Sequence, residues 1–285
     1  MSRPAVIECR NLIKIHKQGK LEVVALQGLD FAMGEGEFIS VVGKSGAGKS
    51  TLLRIIAGLE EPSAGQVEVA GVRLSDLDGR GMTEHYRSSV GFLWQDFRRN
   101  IVPYLGPRAN VELPMTLAGV SARKRKARAL ELLDAVGLRN RLHADVSTMS
   151  GGEQQRLALC VALAQRPRLL LADEPTGELD TGTSLEIYQL LRTLNDHEGL
   201  SILVVTHDVA LAQRSDRIVR IADGVVATED ERRDPLDLAV GHGGVIEVPR
   251  DLLMEAGIGD QAMARLIDDG ILLTPPPAKG GQDDE

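Results

Sequence analysis

A glycine-rich run with two lysines has the composition of a phosphate-binding loop. It comprises Gly43, Lys44, Ser45, Gly46, Ala47, Gly48, Lys49, Ser50 and Thr51. The glycines let successive backbone N–H groups turn toward one centre, where Lys49 adds a charge for the β- and γ-phosphates. Ser50 offers a hydroxyl to Mg²⁺, and the N-terminus of the next helix adds partial positive charge. Because the run follows a predicted strand and opens a predicted helix, we expect it to bind a nucleotide with Mg²⁺.

Two carboxylates follow an apolar run that predicts a buried strand. Asp173 and Glu174 come directly after residues 169–172, whose sequence is LLLA. Ligands of open α/β sheets lie at the carboxyl ends of the strands, so both side chains should face the nucleotide. Asp173 is predicted to hold Mg²⁺ through water, and Glu174 to accept a proton from the attacking water. An acidic pair alone is more often a solvated helix cap, but the continuation Pro-Thr-Gly disfavours that alternative.

Between these two groups lies the sequence MSGGEQQR, residues 149–156. Its residues Ser150, Gly151, Gly152 and Glu153 are predicted at the N-terminus of a helix. Free N–H groups and a hydroxyl at such a terminus can bind a phosphate. The run is therefore a second candidate phosphate site in the same chain.

In this order and at this spacing, the motifs resemble those of the ATP-binding-cassette (ABC) ATPases over residues 5–226. The resemblance implies that His207 contacts the γ-phosphate and that Gln95 reaches the metal and the water. It implies that Asp180 belongs to a loop between subunits and that His16 takes the place of the aromatic side chain that stacks on adenine. Each of these residues alone would carry little functional weight.

The same resemblance implies a dimer. In the family, the phosphate loop of one subunit faces the SGGEQ run of another, so that two subunits clamp each ATP. Since this chain holds a single cassette, a homodimer or a paired second cassette is expected. The sequences VVALQGL, NVELP and THD resemble the macrolide-exporter, lipoprotein-release and cell-division branch.

Members of that branch act on a separate membrane protein. The resemblance therefore implies an integral membrane, permease-like partner and a peripheral location on the cytoplasmic side of the cell membrane. The surface around Trp94, next to Gln95, is where the family receives this partner. Two alternatives remain open: a regulator that transmits force without transport, and a soluble ABC ATPase acting on nucleic acid.

The acidic composition disfavours nucleic-acid binding, and we expect no nucleic-acid partner. The net charge is −8, and residues 225–285 alone carry 14 Asp+Glu against 5 Lys+Arg. The basic run at residues 123–128 is expected to be the solvated face of a helix. Two cysteines, Cys9 and Cys160, are too few for a disulfide framework and indicate a reducing compartment, with Cys160 a small buried apolar group.

Alternating strand and helix patterns predict an α/β fold. It comprises a P-loop ABC ATPase core with a mostly parallel sheet, an inserted helical subdomain, an N-terminal antiparallel β portion and a small C-terminal α+β extension. The expected boundaries are 1–226 for the ATPase domain with its helical lobe at about 96–165, 227–242 for a linker, 243–275 for an accessory domain and 276–285 for a disordered tail.

The extension resembles the swapped-hairpin fold of bacterial transition-state regulators, in which two chains interlock. Residues 245–248 predict a strand, residues 250–256 a short helix, and Asp269-Gly270 a hairpin. A helical interpretation of residues 261–267 competes. With only Arg250 and Arg265 basic in this segment, dimerisation or regulation is favoured over DNA contact.

Overall fold

The computed structural model describes residues 4–231 except 20 and 178, and, further on, residues 248, 253, 258, 262–267 and 270–274. The chain divides into two compact units, Met1–Arg232 and Arg233–Glu285. None of the helices in the described part combines the length and the apolar character that crossing a bilayer requires.

The strands of the first unit are, in chain order, β1 (Ala5–Gln18), β2 (Leu21–Gly34), β3 (Phe38–Val42), β4 (Ala64–Val69), β5 (Val72–Arg73), β6 (Val90–Leu93), β7 (Leu169–Asp173), β8 (Ser201–Thr206), β9 (Arg217–Ala222) and β10 (Val225–Glu231). The α-helices are α1 (Lys49–Ile56), α2 (Gly79–Ser88), α3 (Pro107–Leu117), α4 (Ala122–Ala135), α5 (Gly151–Leu163), α6 (Thr181–Glu198) and α7 (Val209–Ala212). Short 3₁₀ turns lie at Leu74–Asp76, Phe97–Asn100, Arg139–Arg141 and Val146–Thr148.

A six-stranded sheet in the order β10-β9-β3-β8-β7-β6 forms the centre of this unit. Its strands are parallel except for β10, which pairs antiparallel with β9 at one edge. A second, antiparallel sheet has the order β2-β1-β4-β5. The predicted fold, with a mostly parallel sheet and an N-terminal antiparallel portion, is confirmed. Because the parallel strands run in the same direction, the loops that follow them all lie along the carboxyl ends of the strands.

The central sheet is covered on both faces, which explains why β3, β7 and β8 are fully buried and mostly apolar. One face packs against α3 to α6 in a single hydrophobic cluster. The other face packs against α1 and the antiparallel sheet in a second cluster. The phosphate-loop helix α1 is therefore held between two sheets, which restricts its movement.

Two expectations require correction. The predicted linker begins too early, because Glu229, Asp230 and Glu231 pair with β9 as the end of β10. Charged residues are acceptable in an edge strand, which has a partner on one side only. The basic run on α4 is not wholly solvated, since Arg128 is buried and its guanidinium donates to the carbonyl of Leu163 at 3.2 Å. Cys160 is buried as predicted.

The second unit contains an antiparallel hairpin of β11 (Met263–Ile267) and β12 (Gly270–Thr274). The predicted hairpin is thus present, and the helical interpretation of residues 261–267 is wrong. Strand pairing is favoured because only two residues separate the apolar runs, which is the length of a tight hairpin turn. The predicted strand at 245–248 and helix at 250–256 fall where the structure describes single positions only, and the tail at 276–285 lies outside the described residues.

Candidate functional site

The loop between β3 and α1 is pressed against neighbouring backbone, and glycine is required there. A Cβ on Gly43 would lie 2.2 Å from the carbonyl oxygen of Ile221, and one on Gly48 would lie 2.4 Å from that of Ala25. Gly46 and Gly48 also have positive φ angles of 81° and 98°. The close contacts fix the curved path of the loop, which leads directly into the N-terminus of α1.

Lys49 is buried inside this loop. Its Nζ donates to the carbonyl oxygens of Gly43 at 2.8 Å and Lys44 at 3.0 Å, and the residue is 6% exposed. The ammonium therefore lies within the ring of backbone atoms, beside the first N–H groups of α1. This arrangement favours an anion in the loop, because the charge and the helix terminus act on the same point.

Ser50 and Asp173 meet at the carboxyl end of the sheet. The Ser50 hydroxyl donates to Oδ1 of Asp173 at 2.9 Å. Burial raises the pKa of the Asp173 carboxyl, and the hydrogen bond from Ser50 opposes that rise. A hydroxyl and a carboxylate are oxygen ligands of the kind that Mg²⁺ prefers, so the two residues fit the predicted metal.

Gln95 lies at the same sheet edge but is not brought into contact with this pair. It follows β6, whose Leu93 is in register with Ala172 of β7. Its side chain is exposed. Among the described residues, no hydrogen bond joins Gln95 to Ser50 or Asp173. The structure thus places Gln95 near the predicted metal position without giving it a ligand's geometry.

Glu174 and His207 form the second polar pair. Oε2 of Glu174 lies 3.0 Å from Nδ1 of His207, and the two residues follow the adjacent strands β7 and β8. Glu174 has a positive φ of 46°, and its backbone N–H donates to the carbonyl of Val205 at 2.8 Å. A non-glycine residue in this left-handed region is strained, and this conformation ends the extended backbone of β7 at Asp173.

The SGGEQ run caps α5 by a reciprocal pair of hydrogen bonds. The backbone N–H of Ser150 donates to Glu153 at 2.8 Å, and that of Glu153 donates to the Ser150 hydroxyl at 3.2 Å. The first of these bonds, and then Arg141 at 2.9 Å, hold the pKa of the Glu153 carboxyl below its usual range. The predicted helix N-terminus is present at Gly151.

Asp180 caps the next helix, α6. Its carboxylate accepts from the N–H of Thr183 at 3.1 Å and from the Thr183 hydroxyl at 2.7 Å. Both bonds lower the pKa of the Asp180 carboxyl, and the bond from the Thr183 hydroxyl has the larger effect. A Cβ on Gly152 would lie 2.7 Å from Cγ2 of Thr183, so the capping turns of α5 and α6 touch.

The two predicted phosphate-binding elements make no polar contact with each other in the described part of the chain. In the part of the chain that the structure describes, no hydrogen bond or ion pair joins residues 150–153 to residues 43–51. The glycine-loop region contacts Asp173 through Ser50, whereas the SGGEQ run lies on the separate cap of α5.

His16 contacts the glycine loop by its edge. Its Nε2 lies 3.4 Å from the Thr51 hydroxyl and its Nδ1 lies 3.4 Å from Glu60. Lys14 and Arg54 also pair with Glu60, at 3.1 and 3.4 Å. The ring is thus held beside the first turn of α1, with about one third of its side chain exposed.

A profile of the family described as ABC transporter matches residues 26–177, more than half of the chain. The chain belongs to the ABC transporter family. A protein of Thermotoga maritima named an uncharacterized ABC transporter ATP-binding protein is 43% identical over 80% of this chain and 96% of its own length. The lipoprotein-releasing system ATP-binding protein LolD of a Ruegeria species is 45% identical over 72% of this chain and 89% of its own length.

Solved structures agree with this assignment. The ATP-binding cassette MJ0796, from Methanocaldococcus jannaschii, was solved as a dimer in a post-hydrolysis state bound to ADP and Pi. It aligns with a TM-score of 0.74 and 38% identity over 80% of this chain and 99% of its own. The predicted family, its lipoprotein-release branch and the ATPase activity are confirmed, and the chain is an ABC transporter ATP-binding subunit.

Several residues of this ABC cassette that contact the site were not singled out from the sequence. Thr183 holds Asp180, and the Asp-x-x-Thr spacing of a helix cap could have revealed it. Arg141 and Glu60 hold Glu153 and His16 from distant positions. No sequence pattern indicates those two contacts, since they depend on how separate elements pack.

Proposed function

We propose that two copies of this chain close on two Mg·ATP and drive a separate membrane subunit. Each ATP would lie between the glycine loop of one copy and the Ser150–Glu153 cap of the other. The observation that carries this proposal concerns the glycine loop and the Ser150–Glu153 cap. Each is held by its own hydrogen bonds, and among the described residues no hydrogen bond or ion pair joins the two. The dimeric structure of the Methanocaldococcus jannaschii relative supports the same arrangement.

Within each site, the chain's own residues divide the work. Lys49 and the loop N–H groups bind the phosphates, and Ser50, Asp173 and Gln95 would hold Mg²⁺, which when bound neutralises charge on the phosphate oxygens. Glu174 takes a proton from the attacking water through the carboxylate oxygen that His207 leaves free. His207 keeps that carboxylate oriented and reaches the γ-phosphate.

The remaining predicted residues have supporting roles. His16 stacks on adenine from its position beside Thr51, and imidazole stacks more weakly than a tyrosine ring. Asp180 acts at the subunit boundary, from the turn that touches Gly152. The accessory segment, predicted at residues 243–275, keeps two copies together through its hairpin.

The membrane partner would bind next to Gln95, at the peripheral, cytoplasmic face of the cell membrane. An aromatic and basic surface lies there, with Phe92 and Trp94 rings 4.4 Å apart and the Arg99 guanidinium 3.8 Å from the Trp94 ring. Such a cluster offers apolar area and positive charge to a helix end or loop of the partner.

Purification of the tagged chain from detergent-solubilised membranes of its own host tests this proposal. We expect an integral membrane protein to co-purify and the ATPase turnover of the complex to differ from that of the chain alone. Trp94→Ala should weaken the association, whereas Tyr86→Phe, on α2, should not. The proposal would be contradicted by an active dimer that binds no membrane protein and whose ATPase turnover is the same with and without membranes. If the purified complex, placed in lipid vesicles, hydrolyses ATP without moving solute across the membrane, it would be a force-transmitting regulator.

A further inference from the structure

Helix α6 carries a tyrosine that is fully buried against the central sheet. Tyr188 is 0% exposed, and its ring stacks on that of Phe38 with centroids 6.2 Å apart. Phe38 opens β3, the strand that ends at the glycine loop. Further along α6, Arg192 pairs with Asp216, which accepts from the backbone N–H of Phe38 at 2.9 Å. The middle of α6 is therefore fixed to β3.

Two other hydroxyls lie on the sheet face that Tyr188 covers. Side chains alternate along a strand, so Ser40 shares the face of Phe38 on β3. On the neighbouring strand β8, Val204 is in register with Ser40, and Thr206 with Val42. Ser40 and Thr206 are both buried. The hydroxyl groups of Tyr188, Ser40 and Thr206 therefore lie on one face of the sheet. Thr206 ends β8, and His207 follows it directly.

The Tyr188 hydroxyl is close to both of its neighbours without forming a bond. Burial raises the pKa of the Tyr188 phenol, and the nearby hydroxyls of Thr206 and Ser40 oppose that rise. Yet among the described residues neither the Tyr188 nor the Ser40 hydroxyl has a hydrogen bond of normal distance and angle. A small movement would form these bonds, and a buried polar group favours such a movement.

Thr206 links this cluster to the turn that carries His207. Its hydroxyl oxygen accepts from the backbone N–H of Asp208 at 3.0 Å, on the far side of His207. The hydroxyl proton of Thr206 is then free to be donated to Tyr188 or Ser40. Because the bond from the Asp208 N–H to the Thr206 hydroxyl spans His207, holding the Thr206 hydroxyl in place also holds the turn that carries His207.

The same helix also touches the SGGEQ cap. Thr183, at the start of α6, abuts Gly152, and Glu186 pairs with Arg156 of α5 at 3.1 Å. If a second subunit displaced the α5 cap on binding, these contacts would move α6 as well. Tyr188 lies between that contact and the His207 turn.

We propose that Tyr188 is a positioning residue for ATP hydrolysis. Its hydroxyl joins those of Ser40 and Thr206 when the site closes, and so holds the turn that presents His207 to Glu174. The inference rests on the role proposed above for His207, which His207→Ala tests by itself.

Tyr188→Phe removes the phenolic oxygen and keeps the ring on Phe38. We expect kcat to fall about three- to tenfold, the effect of one hydrogen bond of ordinary strength. The KM for ATP and the equilibrium ATP affinity should stay within about twofold, since no phosphate contact is lost. The melting temperature should not fall, because the deleted oxygen has no formed bond in the resting structure. Tyr86→Phe removes the same atom on α2 and should change none of these values.

The decisive comparison repeats Tyr188→Phe in a His207→Ala chain, with enzyme in excess so that slow single turnovers are measurable. We expect no further loss there. An unchanged kcat for Tyr188→Phe, or an equal loss in both backgrounds, would overturn the proposal. If Tyr188→Phe does not fold, Ser40→Ala replaces it and should show the same loss of kcat at constant KM. An unaffected rate in His207→Ala alone would instead remove the role of His207.

Discussion

Glu174→Gln is expected to stop turnover while leaving ATP binding intact. The amide has the shape of the carboxylate and can still bond to His207 at the observed 3.0 Å, but it cannot accept a proton from water. We expect kcat to fall at least about a hundredfold, the usual contribution of a general base. Because hydrolysis no longer releases the nucleotide, a dimer should accumulate with ATP, which light scattering would detect.

A matched control is Glu84→Gln on α2, which makes the same change of charge on a carboxylate that is 69% exposed. It should hydrolyse ATP at the unmodified rate and form no lasting dimer. Unchanged hydrolysis in Glu174→Gln would contradict the assignment of the base, and another group would then have to take the proton.

Lys49→Ala is expected to remove most of the affinity for ATP. The buried ammonium is held by two loop carbonyls, and no other lysine among the described residues makes such a contact with the loop. Loss of a charged hydrogen bond of about 1.5–3 kcal/mol corresponds to about a tenfold to hundredfold weaker affinity. Equilibrium titration with a fluorescent ATP analogue measures this.

Two further variants separate charge from structure at this position. Lys49→Met keeps an unbranched side chain inside the loop and should lose affinity as Lys49→Ala does. Lys126→Ala removes an exposed lysine from α4 and should bind ATP normally. Affinity retained in both Lys49 variants, with normal thermal unfolding, would contradict the role given to the ammonium.

Local patterns predicted most of the fold. The buried, mostly apolar strands β3, β7 and β8 follow from hydrophobicity, and the capped helix α5 follows from Ser-x-x-Glu spacing. Both signals depend only on residues close in sequence. The hairpin of β11 and β12 was predicted in competition with a helix, since a short apolar run is compatible with both. The end of β10 was missed because pairing with β9, and not composition, makes residues 229–231 a strand.

The candidate site was predictable to the extent that its residues follow strands. Asp173, Glu174 and His207 come together because parallel strands end at one edge, which the sequence order implies. The contacts of His16 with Thr51 and Glu60, and the cover of Ser40 and Thr206 by Tyr188, depend on side chains from separate elements. Such contacts leave no periodic signal in a single sequence.

Cross-linking of mixed chains tests the central claim, that two copies share each ATP. One chain carries Ser45→Cys and a second, of different mass, carries Ser150→Cys, both with Glu174→Gln. Ser45 and Ser150 are exposed, whereas the native Cys9 and Cys160 are buried, and burial raises the pKa of the Cys9 thiol to about 12. A short bismaleimide should then report only the introduced thiols.

With ATP and Mg²⁺, we expect a covalent product that contains one chain of each mass and that is lost when ATP is omitted. Neither chain should form this product alone. Absence of the mixed product, its formation without nucleotide, or a bridge within a single chain that carries both cysteines would contradict the shared site.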